Sequence, residues 1–272
     1  MNTIITLIKI SLIAMLFSSS MTTYAKNAEF PGRDRYPKTA YISITDFQKV
    51  KNEVVIVDVR SAYEYQTLRI KGALNVSISD RDFVESMTKL RTDNPSKQIV
   101  VYCNGKTCMK SYKAVIKCRQ NNIKNVTSYD AGIMDWAKTY PADSVLLGKS
   151  PVDPKKIISK KVLKSYLITP EEFEKKLAGR VLVLDVRDSF QRDGTGLFSG
   201  KERNVSINDV PGLTKYIAQA NKQGRTLLIY DAVGKQVRWL QYLLEEKNAK
   251  SYFFMKGGSK GYYQYISKKY MN

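Results

Sequence analysis

Ile99-Val100-Val101-Tyr102-Cys103-Asn104-Gly105-Lys106-Thr107-Cys108-Met109-Lys110-Ser111 is the stretch on which the reading of this chain turns. Four β-branched or aromatic apolar residues predict a short buried strand, Asn104 to Thr107 breaks it, and Ser111 to Cys118 takes up helical spacing. Cys103 therefore sits where a strand ends and a loop turns toward a helix N-terminus. Several backbone N–H groups can converge there on one small bowl, to which the first helical turn adds partial positive charge. Such a bowl stabilises a thiolate and can lower a cysteine pKa from about 8.5 to roughly 3.5–7.5. Lys106 and Lys110 supply cations.

The same pattern extends along the chain. Short apolar runs at Val54–Val57, Ile99–Tyr102 and Val126–Tyr129, then at Val181–Leu184, Thr226–Tyr230 and Ser251–Met255, alternate with helical stretches. That alternation predicts an α/β fold with mostly parallel sheets flanked by helices. Ligands in such sheets bind beyond the carboxyl ends of the strands, where Cys103 lies. The two halves also repeat: Phe47 to Phe173 is 126 residues, Asp58 to Asp185 is 127, Asn75 to Asn204 is 129, Cys103 to Asp231 is 128 and Gly132 to Gly258 is 126. So constant an offset points to a duplicated domain. Leu147 to Lys156, rich in breakers and charge, reads as linker. The expected division is 1–25 as a signal peptide, 36–146 as the working domain, 147–160 as linker and 161–270 as its copy. Thr45 and Thr169 are expected to cap a short helix early in each half.

Residues 1–25 combine a basic start, the apolar run Ile10–Phe17 and the small-residue approach Thr23-Tyr24-Ala25, the marks of a secretory signal cleaved near Ala25. The apolar run is short for a spanning helix, which needs about 20 residues. The expected location is periplasmic or secreted, with no stable membrane insertion after cleavage. The formal charge of +20, or +19 without Lys9, favours small anions or acidic partners. The lysines are scattered through both halves, and with export this argues against nucleic acid. Three cysteines give no complete disulfide framework and fit a reactive thiol better.

Val54–Val57 with Asp58-Val59-Arg60, then Ile70-Lys71-Gly72-Ala73-Leu74-Asn75, the Cys103 loop and Ala131-Gly132-Ile133-Met134-Asp135-Trp136 occur in the order found in rhodanese domains. On these residues the chain resembles a tandem rhodanese, a sulfurtransferase that carries sulfur as a cysteine persulfide. The resemblance implies two rhodanese-like domains, the N-terminal one active and the C-terminal one inert, because Asp231 stands where Cys103 is and a carboxylate forms no persulfide. It implies Cys103 as nucleophile, with Asn104, Gly105, Lys106, Thr107, Cys108, Met109, Lys110 and Arg60 around the substrate. Neither a metal nor a cofactor is called for. The implied partners are small anionic sulfur compounds: thiosulfate or polysulfide as donors, cyanide or a thiol as acceptor, and a protein sulfur acceptor as a further option.

The chain departs from the common loop Cys-x-x-Gly-x-Arg-Ser. Ser111 lies eight positions after Cys103, so the loop is about two residues longer, and thiosulfate as the donor is not assured. The histidine of the common Gly-His-Ile segment is Arg69 here, and the chain has no histidine, which excludes an imidazole base. Met109 stands where a Cys-x5-Arg phosphatase loop would place its guanidinium. Cys108 is expected to resolve the persulfide, pair with Cys103 or line the loop, Cys118 to sit in the core, and Asp58 and Arg60 to tie loops together. Besides sulfurtransferase, three classes stay open: a non-turnover sulfur carrier serving one partner, a dual-cysteine redox protein and a purely structural interaction module.

Overall fold

The computed structural model describes residues 29–188, 191–192 and 196–271, so the expected signal peptide lies outside the described residues. The strands are β1 Tyr41–Ile42, β2 Val55–Asp58, β3 Leu68–Ile70, β4 Leu74–Asn75, β5 Ile99–Tyr102, β6 Val126–Tyr129, β7 Ser144–Leu146, β8 Leu167–Ile168, β9 Val181–Asp185, β10 Glu202–Asn204, β11 Thr226–Tyr230 and β12 Tyr252–Met255. The α-helices are α1 Pro31–Arg35, α2 Ile44–Val50, α3 Ala62–Thr67, α4 Phe83–Asp93, α5 Lys110–Gln120, α6 Gly132–Thr139, α7 Lys160–Tyr166, α8 Pro170–Lys176, α9 Val210–Gln223, α10 Val237–Glu246 and α11 Gly258–Met271. Among the described residues no helix is long and apolar enough to cross a membrane.

The apolar runs form two five-stranded parallel sheets, as the alternation of strand and helix predicts. The first has the order β1-β6-β5-β2-β4 and the second β8-β12-β11-β9-β10, the same order met at the corresponding strands. Val-Ile-Val-Asp of β2 and Ile-Val-Val-Tyr of β5 are buried at every position, which suits strands covered on both faces by helices. In the first sheet Asp58, Tyr102 and Tyr129 lie side by side at the strand ends, so the chain leaves β5 at the middle of the sheet's carboxyl edge. The two halves also share loop bonds. Val59 N–H donates to Tyr102 C=O (3.1 Å) and Val186 N–H to Tyr230 C=O (3.0 Å); Ile133 N–H donates to Cys103 C=O (3.0 Å) and Ser259 N–H to Asp231 C=O (2.8 Å).

Helix starts follow local chemistry. Thr169 caps α8 and closes a capping box with Glu172. In the first half Ser43, not Thr45, is the cap: its hydroxyl accepts the Asp46 N–H at 3.1 Å, two residues earlier than the sequence suggests. Ser61 and Glu64 form a second capping box at α3.

The halves are not separate bodies. One contiguous apolar cluster contains Phe47, Leu68, Tyr102 and Trp136 together with Leu184, Trp239, Leu240 and Phe254. β7 pairs antiparallel with β3, and beyond it Ile158 N–H donates to the Tyr242 hydroxyl (3.1 Å) while Lys149 pairs with Glu246 (3.3 Å). α10 packs on α3. The second half is thereby held against the end of the first sheet from which Cys103 emerges.

Candidate active site

Cys103 follows β5 directly and is fully buried. The loop closes because Cys108 N–H donates to Gly105 C=O (2.8 Å), and α5 begins with Lys113 N–H donating to Met109 C=O (3.0 Å). The loop floor is backbone of the α6 start: Ile133 and Met134 N–H groups donate to the carbonyls of Cys103 and Asn104. Gly132, with φ of +70°, comes so close that a Cβ there would stand 2.4 Å from Gly105 N and 2.6 Å from Cys103 O. Only glycine lets these two segments meet.

The Cys103 sulfur lies within hydrogen-bond distance of the Cys108 carbonyl (3.5 Å) and the Ser111 hydroxyl (3.6 Å). It also hydrogen-bonds to the Cys108 sulfur. Burial and the neighbouring Cys108 push the Cys103 thiol well up. Cys108 moves the other way, down to about 6, because the Cys103 thiol donates to it and the Lys110 and Asn104 backbone N–H groups and the Lys110 charge outweigh its burial. Burial thus disfavours a thiolate on Cys103, whereas the donors around Cys108 favour one there. The sequence reading placed the thiolate on Cys103; the structure differs because Cys103 is the deeper of the two sulfurs, and the low-dielectric position keeps its proton.

The two lysines are also engaged elsewhere. Lys106 pairs with Glu29 and with Asp135 (3.2 Å), at the rim. Lys110 pairs with Glu64 (3.4 Å). Thr107 is exposed, while Gly105 and Met109 are half-buried backbone formers of the loop.

Arg60 lies beneath the loop, fully buried, and is spent on neighbours. Its Nε and Nη2 grip Asp58 (2.9 and 2.5 Å), Nη2 also donates to Leu68 C=O (2.5 Å), and Nη1 donates to Asn104 Oδ1 (3.2 Å). Burial works against this charge, but Asp58 outweighs it and the guanidinium stays protonated. Asn104 in turn donates Nδ2–H to Glu64 Oε1 (2.9 Å). Glu64 is the site residue that sequence reasoning missed. The Ser61-x-x-Glu64 spacing marks its capping-box role, but its contacts to Asn104 and Lys110 span 40 and 46 residues. Burial raises Glu64, yet Lys110, Arg60, Asn104 and the Ser61 N–H together hold it below the usual carboxylate range. From the other half, the Trp239 indole lies against Arg60, with the guanidinium carbon 5.0 Å from a ring centroid. Cys118 lies buried in α5 with Val115, and Trp136 packs on Phe47 and Tyr129.

In the second half the same turn is filled differently. The buried Asp231 carboxylate accepts N–H groups from Val233 (3.0 Å) and Gly234 on one oxygen and from Gln236 (2.6 Å) and Val237 (3.2 Å) on the other. Asp185 and Arg187 repeat the Asp58–Arg60 pair (2.8 Å). This loop is an anion bowl with a resident anion, and it has no thiol.

The site is thus a buried thiol at the carboxyl edge of a five-stranded parallel sheet, above a buried Asp–Arg pair. Residues 44–139 match the Rhodanese-like domain family, and the chain carries such a domain there. Among curated proteins it is similar to the tRNA uridine(34) hydroxylase of Bdellovibrio bacteriovorus, 28% identical over 106 residues, which are 38% of this chain and 30% of that protein. It is also similar to an HTH-type transcriptional regulator of Mycobacterium tuberculosis, 34% identical over 84 residues, or 31% of this chain and 34% of the regulator. These matches span about a third of the relatives' length. A crystal structure of thiosulfate sulfurtransferase from Pseudomonas aeruginosa aligns with a TM-score of 0.35 and 17% identity, covering 82% of this chain and 44% of that one.

Proposed function

We propose that the chain is an exported sulfurtransferase that carries sulfane sulfur on Cys103. It takes the sulfur from thiosulfate, polysulfide or a persulfide and passes it to a thiophilic acceptor such as cyanide, a small thiol or a protein thiol. In this reading 1–25 is a cleaved signal, 36–146 the working rhodanese-like domain, 147–160 the linker and 161–270 an inert second rhodanese-like domain. The observation that carries it is the buried Cys103 thiol at the end of β5, next to the Ser111 hydroxyl and with Cys108, a thiol pushed down to about 6, packed beside it. With no histidine in the chain, Cys108 is the base. As the proton moves from Cys103 to Cys108, the Cys103 sulfur attacks the outer sulfur of thiosulfate. The donor S–S bond breaks, its electron pair leaves with sulfite, and Cys103 becomes a persulfide. An acceptor nucleophile then attacks the outer sulfur, and the Cys103 thiolate leaves and recovers its proton. The tRNA chemistry named for the relatives belongs to proteins that this chain matches over about a third of their length, and it is not carried over.

The test is intact-mass spectrometry of reduced mature protein exposed to thiosulfate or polysulfide and then cyanide. One sulfur should add to the wild type, cyanide should strip it, and Cys103→Ser should stay bare. Equal loading of Cys103→Ser, or none on either, ends this reading.

The contact between the two sulfurs favours a second reading, a redox protein in which Cys103 and Cys108 join in a disulfide. Forming that bond passes two electrons and the Cys103 proton to an oxidising disulfide partner, which is reduced to a thiol and a thiolate. Cys108→Ser separates the two: it abolishes a redox cycle, whereas sulfur still loads on Cys103, more slowly for want of the base.

A further inference from the structure

We infer that Arg238, supplied by the half without a nucleophile, binds the oxyanion end of the sulfur donor beside the Cys103 loop. The inference rests on the sulfurtransferase reading and narrows it to donors that bear a sulfonate group, thiosulfate or an organic thiosulfonate.

Arg238 stands in the first turn of α10, the helix that packs on α3 of the first half. Its neighbour Trp239 is almost wholly buried, and its indole carries two guanidinium groups: Arg60 at 5.0 Å and Arg238 at 5.7 Å from the ring centroid. The two arginines differ in their commitments. Arg60 is saturated by Asp58, Leu68 and Asn104. Arg238 makes no hydrogen bond and no ion pair among the described residues, and its Nε is buried with no acceptor.

Such an orphan is costly, since a buried N–H that has lost water and found no partner forfeits about 1–3 kcal/mol, more when charged. Local charge shows what is missing. Asp58 is taken by Arg60 and Glu64 by Lys110, which leaves Arg238 without a carboxylate of its own. Glu64 cannot supply the balance, because Ser61, Asn104 and Lys110 already occupy its oxygens. Burial draws the Arg238 pKa below its ordinary value, and the Arg60 charge acts in the same direction.

An anion arriving at this cluster supplies both the acceptor and the charge. Guanidinium offers a planar fork of donors that grips two oxygens at once, which suits a sulfonate and not a bare sulfur chain. Glu64, whose charge acts on Arg238, also bonds Asn104 of the Cys103 loop, so an anion held by Arg238 lies on the side of the site where that loop stands. Sulfite formed in the first half-reaction leaves from the same fork. This gives the inert half a role: its α10 carries the donor-binding cation that the first half lacks, because Lys106 and Lys110 are already paired.

The test separates binding from transfer. Thiosulfate is titrated calorimetrically into full-length Cys103→Ser, which cannot react, with and without Arg238→Met. Sulfur loading by thiosulfate and by polysulfide is then timed on the chain that keeps Cys103. Replacing Arg238 with Met should weaken thiosulfate binding and raise its KM by at least about tenfold, leave polysulfide loading within about twofold, and leave the melting temperature unchanged or higher. Arg238→Lys should recover part of the thiosulfate affinity. Unchanged thiosulfate affinity in Arg238→Met, or an equal loss with both donors, overturns the inference. Arg238-dependent thiosulfate binding in a protein that never loads sulfur would instead sink the sulfurtransferase reading and leave the anion site standing.

Discussion

Replacing Asp231 with asparagine changes almost nothing in shape and should strongly destabilise the second half. Four backbone N–H groups point at the two carboxylate oxygens, two at each. An asparagine amide has one acceptor and one NH2 group, so whichever way it turns, two N–H donors meet another donor. Hydrogen bonds to a charged acceptor contribute about 1.5–3 kcal/mol each. Asp231 is fully buried, so no water replaces the two lost bonds. The expected cost is roughly 3–5 kcal/mol, a large share of the 5–15 kcal/mol typical of whole proteins. Because the two halves share one apolar cluster, the conversion for a larger unit applies, about 2–4 °C per kcal/mol, giving a drop on the order of 10 °C. Thermal melts followed by circular dichroism, with urea unfolding as a second probe, measure it. A Tm within about 2 °C of wild type, equivalent to less than about 1 kcal/mol, would refute the claim that this carboxylate holds the loop.

Three further outcomes are expected. Brief alkylation with iodoacetamide near neutral pH should label Cys108 first: a thiol pushed down to about 6 is mostly thiolate above that pH, its labelling should fall by half near pH 6, and Cys103 and Cys118, both pushed up, should label more slowly; peptide mapping that finds Cys103 labelled first contradicts the assigned proton. Gly132→Ala should destabilise by about 2–4 kcal/mol and impair sulfur loading, since its Cβ would fall 2.4 Å from Gly105 N at a φ of +70°; a loading rate equal to wild type would show that the loop does not need this close approach. Asp58→Asn leaves Arg60 buried without its counter-charge and should cost about 3–5 kcal/mol, with the loop disturbed through Asn104; urea denaturation showing under about 1 kcal/mol would remove the pair from the account.

Much of the fold was legible in the sequence because its signals are local. Ile99–Tyr102 and Thr226–Tyr230 announce buried strands by composition alone, and both are strands with the ends expected. The offset of 126–129 residues between landmarks has a physical counterpart in two sheets of the same strand order and in loop bonds that match pair by pair. Helix starts were less legible: Ser43 and Thr45 have the same capping chemistry, and the choice depends on where β1 releases the chain.

The residues around Cys103 divide along the same line. By itself the sequence determined the position of the thiol at a strand end and the carboxylate that takes the thiol's place in the second half, both properties of short segments. Only the tertiary structure decided which thiol keeps its proton, that Lys106 and Lys110 face Glu29, Asp135 and Glu64, and that Arg60 is sealed beneath Trp239 with Arg238 left unpaired beside it. Those outcomes depend on depth and on contacts between residues 29 to 179 positions apart, because burial and charge pairing are set by which surfaces the fold brings together and leave no mark on the spacing of neighbouring residues.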